Sequence, residues 1–394
     1  MTRKVLILAG DTDGNLGDLA IVTATCDHIR RVDPHSSISI VTSSGARDRG
    51  RLDVTPIARG WRGIAALFNS ARHADLVICG GGGLFQDDDS LLKMPYWAIR
   101  LLFLRLLSGP IEGLSIGAGP LDHVVSRYFA RVALRQLSGV SVRDSLAQSV
   151  LAPLTRKNIE VVPDPAFLLA AASESQARSA LENSGAPTDS TPLVGVAVRR
   201  WFHKNSSLIP YKYASKLGLQ KNRGQREMSA FVRLAAEALD EVAEQTNAHV
   251  VFMPTYNVGH EADIEVCEAV ARKMRSRNYS FLLLDNPQVY KAVTGLLDAM
   301  LCGRMHPAIL AAGQGTPIVG LAYNQKFFGT FSMLEQSDRC MSISDFVDNE
   351  SSGQLSQMLL AALAEPEKYR PETTAIERRT KRYIDKLIIE PSKG

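Results

Sequence analysis

Short apolar runs alternate with segments of helical length along the chain. In the first half these runs are KVLILAG, SISIVTS, ADLVICGGGG, IEGLSIGAG, GVSVRD and IEVVPD. Their apolar residues are consecutive, which is typical of strands that are covered on both faces within a parallel sheet. The first half is therefore predicted to be an α/β domain.

Residues 171–192 interrupt this pattern. The segment is rich in Ala, Ser and Pro, as expected of a helix followed by a linker. Apolar runs then resume with PLVGVAVRR, AHVVFMP, SFLLLD, DAMLCG and TPIVGLAY. The pattern predicts two Rossmann-like domains, residues 1–175 and 190–345, that face across a cleft, the usual place for a small-molecule site. Residues 346–394 are expected to form exposed amphipathic helices.

Composition and charge narrow the choice of partners. The 394 residues include 45 Lys and Arg against 41 Asp and Glu, and the resulting net charge of +4 does not call for a nucleic-acid partner. The five cysteines are scattered without a C-x-x-C pair, which favours reduced thiols, a cytoplasmic location and no metal site.

One stretch, PYWAIRLLFLRLLSGP at residues 95–110, is apolar enough to suggest a membrane. It is shorter than the roughly 20 residues that a bilayer span needs, and two arginines interrupt it. We expect a buried core helix there. A peripheral contact with the inner face of a membrane is left open.

The loop GDTDGNLGDLA follows the first predicted strand but does not fit a dinucleotide site. Its glycines are spaced G-x-x-x-G-x-x-G instead of G-x-G-x-x-G, and its three aspartates would repel a phosphate. One alternative is a plain strand-to-helix turn in which Asp18 caps the next helix. The other is a wall for neutral hydroxyl groups, formed by Asn15, Gly17 and Asp18.

A second glycine-rich segment, GGGGLFQDDDS, also follows a predicted buried strand. Consecutive glycines let a ligand approach the backbone closely. The acids after them suit sugar hydroxyls or a general base better than phosphate. Gly82, Gly83, Gln86 and Asp88 are therefore candidates for binding a sugar, with a solvated loop as the alternative.

Cationic residues follow strands of the second predicted domain. Arg199 and Arg200 end one strand, and Arg304 and His306 stand at the start of a helix that follows another. A helix N-terminus and a planar guanidinium suit phosphate or carboxylate. The basic stretch at residues 199–226 is compatible with a lid over an anionic substrate, a contact with lipid or glycan, or a solvated insertion.

Taken together and in order, seven segments resemble the polysaccharide pyruvyl transferase family. They are GNLGDLAI, ADLVICGGGGLFQDDDS, GLSIGAGPL, SVRDSLAQSVL, VVPDPAFLL, VGVAVRRW and GRMHPAILAAGQGTPIVGLAY. The resemblance implies two Rossmann-like domains in the B-type glycosyltransferase arrangement, with the last helices packing back on the first domain. It also implies phosphoenolpyruvate as the donor substrate, no further cofactor, and a pyruvate ketal that bridges two hydroxyls of a glycan acceptor, free or lipid-linked.

The resemblance also assigns roles to residues. Arg199, Arg304 and Lys326 would bind the donor, and His306 is the candidate general acid/base. Apart from the resemblance, an acidic group of the first domain, Asp18 or one of Asp87 to Asp89, is expected to deprotonate the acceptor hydroxyl or hold it. The acceptor side is expected to comprise Asn15, Gly17, Gly82, Gly83, Gln86 and Asp88.

Two other functions are compatible with the same pattern. One is a nucleotide-sugar-dependent glycosyltransferase or a sugar epimerase of the same fold, for which Asp285 and Asp298 are weak candidates for a ribose contact. The other is a glycan-binding module without activity. The stretch FMPTYNVGHEAD, with His260 and Glu261, departs from the family's pattern and leaves acceptor recognition open.

Overall fold

The computed structural model describes residues 3–10, 12, 14–42, 52–88, 90–201, 224–256 and 262–390. These residues divide into two compact units. The first unit holds the described residues up to Leu168 and those from Thr374 onward, and the second holds those between Leu169 and Thr373.

The first unit is a parallel sheet with helices. Its strands are β1 (Lys4–Leu8), β2 (Ser37–Thr42), β3 (Thr55–Ala58), β4 (Leu76–Gly80), β5 (Gly83–Phe85), β6 (Ile111–Ala118), β7 (Gly139–Val142) and β8 (Ile159–Val161). Its helices are α1 (Leu16–Val32), α2 (Ile64–His73), α3 (Lys93–Leu107), α4 (Val124–Gln136), α5 (Ser145–Leu151) and, from the end of the chain, α15 (Thr374–Ile389). The strand order is β3-β2-β1-β4-β6-β7-β8, with β5 paired to β6.

The second unit repeats this plan. Its strands are β9 (Leu193–Ala197), β10 (His249–Phe252), β11 (Tyr279–Phe281), β12 (Ala299–Cys302), β13 (Ile318–Ala322) and β14 (Cys340–Ser342), in the order β11-β10-β9-β12-β13-β14. Its helices are α6 (Glu174–Asn183), α7 (Gln225–Thr246), α8 (Asp263–Lys273), α9 (Pro287–Thr294), α10 (Met305–Ala312), α11 (Gln325–Met333), α12 (Ile343–Asp348), α13 (Ser352–Ala364) and α14 (Pro366–Tyr369).

These two parallel sheets confirm the predicted pair of Rossmann-like domains. The consecutive apolar runs form strands buried on both faces: every residue of β4, β6 and β9 is buried. In α7 the side chains of Phe231, Ala235, Ala238 and Val242 are buried as well. The residue limits and the cleft inferred from the sequence stay predictions.

The C-terminal helices divide between the units. Helix α13 packs on α7 within the second unit, whereas α15 packs on α1 within the first. Tyr383, Ile384 and Leu387 of α15 belong to the buried cluster that includes β1. His28 Nε2 of α1 lies 2.7 Å from Asp385 Oδ1 of α15. The last helix is therefore part of the first unit's core.

The Tyr383 hydroxyl gives this packing a dependence on alkaline pH. Burial raises its pKa from 10.0 to about 12, and the nearby Glu112 and Glu160 carboxylates act in the same direction. Because the folded state holds the proton more tightly, the contribution of Tyr383 to stability is complete below pH 10 and is lost as pH rises from about 10 to about 12. We expect Tyr383→Phe to lessen this fall by about 2–3 kcal/mol in urea unfolding measured at successive pH values. Buried thiols such as Cys79, which titrate in both proteins, cancel in the comparison, and equal pH slopes would contradict the assignment.

Helix α3 is not the core helix that the sequence suggested. Met94, Trp97, Leu101 and Leu104 are buried on one side. The other side is exposed to solvent, with Leu106 74% exposed. The helix faces the sheet on one side only, so that prediction is wrong. In the described part of the chain, no helix combines the length and the apolar character that crossing a membrane requires.

Candidate functional site

The candidate donor residues lie at one edge of the second unit's sheet. Its strands are all parallel, so their carboxyl ends share this edge. The strand order runs in opposite directions outward from the neighbours β9 and β12, and ligands of such sheets bind at this switch point. Arg199 follows β9 and Arg304 follows β12. Both predicted arginines therefore lie where this fold places its ligands.

Gly303 allows the turn after β12 to pack closely against the end of β9. Its N–H donates to the carbonyl oxygen of Ala197 at 2.7 Å. A Cβ atom at this position would lie only 3.1 Å from Val198 Cα and 3.2 Å from that carbonyl oxygen. The close approach needs glycine, and it keeps the backbone of Arg304 beside that of Arg199.

A buried carboxylate holds the guanidinium of Arg304. Arg304 Nε donates to Asp263 Oδ2 at 2.5 Å and Nη2 donates to Oδ1 at 2.6 Å. Asp263 Oδ2 also accepts the backbone N–H groups of Thr255 and Tyr256 at 3.2 and 3.0 Å. The Tyr256 ring lies 5.3 Å from Arg304 Cζ. The bidentate pair fixes the plane of the guanidinium at the carboxyl end of β12.

Two neutral groups lie next to this ion pair. Burial, followed by the nearby Asp263 carboxylate, raises the pKa of the Cys267 thiol. Burial likewise raises the pKa of the Tyr290 hydroxyl, which donates to the carbonyl oxygen of Met253 at 3.1 Å. Both groups stay protonated at neutral pH, so neither adds a charge beside Arg304.

Aromatic rings hold Arg199. Its Cζ lies 4.4 Å from the centroid of the Tyr323 ring and 5.6 Å from that of Trp201. Arg199 Nε donates to the carbonyl oxygen of Arg200 at 3.3 Å, and the residue is only 6% exposed. Cation–π contacts of this kind orient a guanidinium without neutralising it. The structure thus presents Arg199 as a positioned cation.

His306 and Lys326 occupy equivalent places on two helices. His306 is the second residue of α10, which follows β12, and it is half-buried. Lys326 is the second residue of α11, which follows β13, and it is 6% exposed. Asn324 caps α11 by accepting the N–H of Phe327 at 3.3 Å. Adjacent strand ends thus supply both side chains within the first helical turn.

The first unit brings the opening loop and the glycine-rich segment to its own switch point, between β1 and β4. Asn15, not Asp18, caps α1, because Asn15 Oδ1 accepts the N–H of Gly17 at 3.0 Å. The predicted cap at Asp18 is therefore wrong, and its side chain lies between two glycines. A Cβ atom at Gly82 would lie 2.9 Å from Asp18 Oδ1, and one at Gly10 would lie closer still to Oδ2.

Because of this packing, we expect any side chain at Gly82, whose φ is +88°, to lower the free energy of unfolding. We expect Gly82→Ala to destabilise the protein by about 1 kcal/mol more than Gly185→Ala in urea unfolding, because the end of the Asp18 side chain has to move. Gly185, which follows α6, is the control, because its φ is +80° and a Cβ atom there would meet nothing within 4 Å. Adding Asp18→Ala should recover part of the difference. Equal losses at Gly82 and Gly185 would contradict the close contact.

The acids after the glycines have different surroundings. Asp87 is fully buried, and its carboxylate accepts the N–H groups of Asp122 and His123 at 3.3 and 3.0 Å. It therefore fixes the start of α4. Asp88 is half-buried, and its Oδ1 has no hydrogen-bond partner among the described residues. Gln86, two positions before it, is also half-buried. Asp88 is thus better suited than Asp87 to bind a ligand.

Sequence reasoning missed two residues at these edges, Asp263 and Arg143. Arg143 follows β7, is 5% exposed, and donates from Nε to Asp144 Oδ2 at 3.2 Å. A Cβ atom at Gly117 would lie 3.0 Å from Arg143 Cζ and 2.8 Å from the carbonyl oxygen of Gly82. Arg143 therefore lies against the glycine-rich segment. The sequence pattern that identifies Arg199, an arginine directly after an apolar run, would also have identified Arg143.

Some candidates lie outside the described residues. These are the three positions Asp11, Asp13 and Asp89, the greater part of the basic stretch at residues 202–223, and the pair His260 and Glu261.

Comparisons with known proteins agree with this organisation. A family model described as Polysaccharide pyruvyl transferase matches residues 15–325, a range that contains all the candidate site residues except Lys326, which directly follows it. No curated protein matches the chain significantly.

Solved structures of sugar-processing enzymes share the fold. UDP-GlcNAc 2-epimerase from Methanocaldococcus jannaschii aligns with a TM-score of 0.60 and 10% identity over 97% of this chain and 99% of that one. UDP-GlcNAc 2-epimerase from Neisseria meningitidis, bound to UDP-GlcNAc, aligns at 0.57 and 10% over 98% and 100%. A glycosyltransferase from Rickettsia africae aligns at 0.57 and 10% over 100% and 94%. At these identities the likeness shows the fold alone, which is that of B-type glycosyltransferases.

Proposed function

Because this chain belongs to the polysaccharide pyruvyl transferase family, we propose that it moves the pyruvyl group of phosphoenolpyruvate onto two hydroxyls of a sugar. The product is a pyruvate ketal on a polysaccharide or its glycan precursor, and phosphate is released. The observation that carries this proposal is the group of cations at the switch point of the second unit, beside the start of α10.

Phosphoenolpyruvate is small and carries a carboxylate and a phosphate. Arg199, Arg304 and Lys326 would supply cationic groups suited to such an anion. Arg304 offers a planar fork that Asp263 holds in place. The backbone N–H groups at the start of α10, where no side chain caps the helix, would add hydrogen-bond donors.

The reaction forms two carbon–oxygen bonds at one carbon, the first by addition and the second by displacement of phosphate. A proton is delivered to the methylene carbon, and the oxygen of one sugar hydroxyl forms a bond to the adjacent carbon, which still carries phosphate. The second hydroxyl then attacks that carbon, the bond to phosphate breaks, and the two hydroxyl protons are given up. One of them replaces the proton delivered to carbon, and the other leaves with phosphate or solvent. His306 is assigned the delivery of the first proton.

The acceptor is assigned to the first unit. Gly83, Gln86 and Asp88 are half-buried and would offer backbone, amide and carboxylate groups to the sugar. Gly82 is buried, and its carbonyl oxygen already accepts the N–H groups of Leu84 and Gly117 at 3.1 Å, so it would shape the segment more than bind the sugar. Asp18 is assigned to deprotonating the attacking hydroxyl or holding it. Asn15 and Gly17, joined by their own hydrogen bond, would shape the loop around Asp18 more than bind the sugar directly. No metal or further cofactor enters this scheme.

The test is acceptor-dependent phosphate release. The protein is mixed with phosphoenolpyruvate and a panel of galactosyl, glucosyl and mannosaminyl acceptors, and products are examined by mass spectrometry for an added pyruvyl group. We expect release only with the matching acceptor, in equal amount to the ketal. Absence of release with every acceptor, together with turnover or thermal stabilisation by a UDP-sugar, would favour a nucleotide-sugar enzyme of the same fold.

A further inference from the structure

Helices α3 and α4 carry a wide apolar surface that faces solvent. The two helices pack along each other on one side of the first unit's sheet. The exposed apolar side chains are Leu92, Tyr96, Ile99, Leu102, Phe103 and Leu106 at α3, and Val124, Val125 and Tyr128 on α4. We call this set the α3–α4 face. Soluble proteins seldom leave a contiguous apolar surface of this kind without a binding partner.

The charges of the two helices have one sign. Between its bounds α3 contains Lys93, Arg100 and Arg105 and no acid, and α4 contains Arg127, Arg131 and Arg135 and no acid. The three arginines of α4 are exposed. The α3–α4 face is therefore both apolar and basic.

The aromatic residues of the α3–α4 face are of the kinds found at the boundary between a membrane and water. Arg100 donates to the Tyr96 hydroxyl at 2.9 Å, and its Cζ lies 5.4 Å from the centroid of the Trp97 ring. The exposed fractions of Tyr96, Phe103 and Tyr128 are 46%, 51% and 59%. Tyrosine with arginine at the border of an apolar area is typical of proteins that lie at the boundary between lipid headgroups and acyl chains.

Two occupants compete for such a face, a second copy of this chain and a lipid surface. Pairing two copies through the α3–α4 face would bring basic helices together without an acid on either of them to offset the repulsion. An anionic lipid surface offers acyl chains to the apolar residues and phosphates to the arginines. The charge pattern therefore favours lipid.

We propose that the α3–α4 face docks the protein on an anionic lipid surface, where it lies at the interface without spanning the bilayer. Both helices begin at the carboxyl edge of the first sheet, and Asp87 links the segment before α3 to the start of α4 through the N–H groups of Asp122 and His123. Gln86 and Asp88 flank this link. Docking thus brings the candidate acceptor residues close to the lipid surface, and lipid binding itself does not depend on which donor the protein uses.

The test measures binding of the full chain to vesicles of phosphatidylcholine alone and to vesicles that also contain phosphatidylglycerol, by sedimentation. We expect binding to the anionic vesicles only, and weaker binding as salt is raised. Phe103→Asp combined with Leu106→Asp, and Arg127→Glu combined with Arg131→Glu, should each lower the partition coefficient about tenfold or more. All four side chains are exposed, and thermal unfolding checks that the variants fold.

Matched controls separate the face from general surface effects. Leu283→Asp with Ile389→Asp changes two apolar residues that are 60% and 64% exposed elsewhere. Arg272→Glu with Arg277→Glu changes two exposed arginines of the second unit. These proteins should bind vesicles as the unaltered chain does. The proposal is overturned if the unaltered chain ignores anionic vesicles, or if the controls lose as much binding as the face variants. It is also overturned if sedimentation shows a dimer that Phe103→Asp dissociates.

Discussion

Replacing His306 with alanine is expected to lower kcat for phosphate release from phosphoenolpyruvate by about 100- to 10,000-fold. The side chain sits in the first turn of α10, two positions after Arg304, and it is the group to which the proposed reaction assigns proton delivery. The KM for phosphoenolpyruvate should change little, because the charges that bind it belong to other residues. Added imidazole should restore part of the lost rate, since it can replace the missing proton donor.

The control for this prediction is His249→Ala. His249 is a buried histidine of the same unit, hydrogen-bonded through its two ring nitrogens to Asn278 and Ser280 at 2.7 and 3.1 Å. It begins β10, at the amino edge of the sheet, away from the candidate site. We expect this variant to lose stability and to keep its kcat. A His306→Ala protein with nearly unchanged phosphate release would remove His306 from the mechanism.

Replacing Asp263 with asparagine is expected to damage both stability and activity. Asparagine has the same shape but lacks the charge that binds the Arg304 guanidinium, and only 1% of the Asp263 side chain and 14% of that of Arg304 are exposed. Breaking a buried pair of this kind costs about 3–5 kcal/mol of the free energy of unfolding. The loose guanidinium should also bind the donor poorly and raise KM by about tenfold or more.

Asp240→Asn is the matched control. Asp240 is also a buried carboxylate that accepts two backbone N–H groups, those of Arg275 and Ser276, and lies 3.4 Å from the Arg275 guanidinium. Its partner is 73% exposed and lies outside the candidate site. We expect Asp240→Asn to destabilise the protein and leave KM unchanged. If Arg304→Lys and Asp263→Asn have additive effects on KM, the two residues do not act as a pair and Asp263 does not position Arg304.

Much of the fold could be predicted because parallel strands that are buried on both faces appear as continuous apolar runs. The strands that escaped prediction are short: β3 has four residues and contains Pro56, and β5 and β14 have three residues each. Such segments are assigned by their pairing with neighbours, which the sequence does not display.

The candidate site could be predicted only as far as strand ends reveal it. Arg199 and Arg304 each follow an apolar run, so the rule for parallel sheets places both at one edge of the sheet. Lys326 is indicated by the family resemblance alone. Asp263 is 41 positions from Arg304 and gives no local signal of their pairing. The prediction that α3 is a buried core helix was wrong for another reason. Its apolar residues surround the helix, and only the structure shows that a single side packs on the sheet.

The position of α15 in the first unit sets the order in which the protein can be completed during synthesis. A ribosome delivers residues 169–373, and with them the second unit, before it delivers α15. Until then Val5 and Ile7 of β1 lack the covering that Ile384 and Leu387 provide. The unit that begins first must therefore finish last, and its incomplete core is the part of the nascent chain most exposed to chaperones and to aggregation.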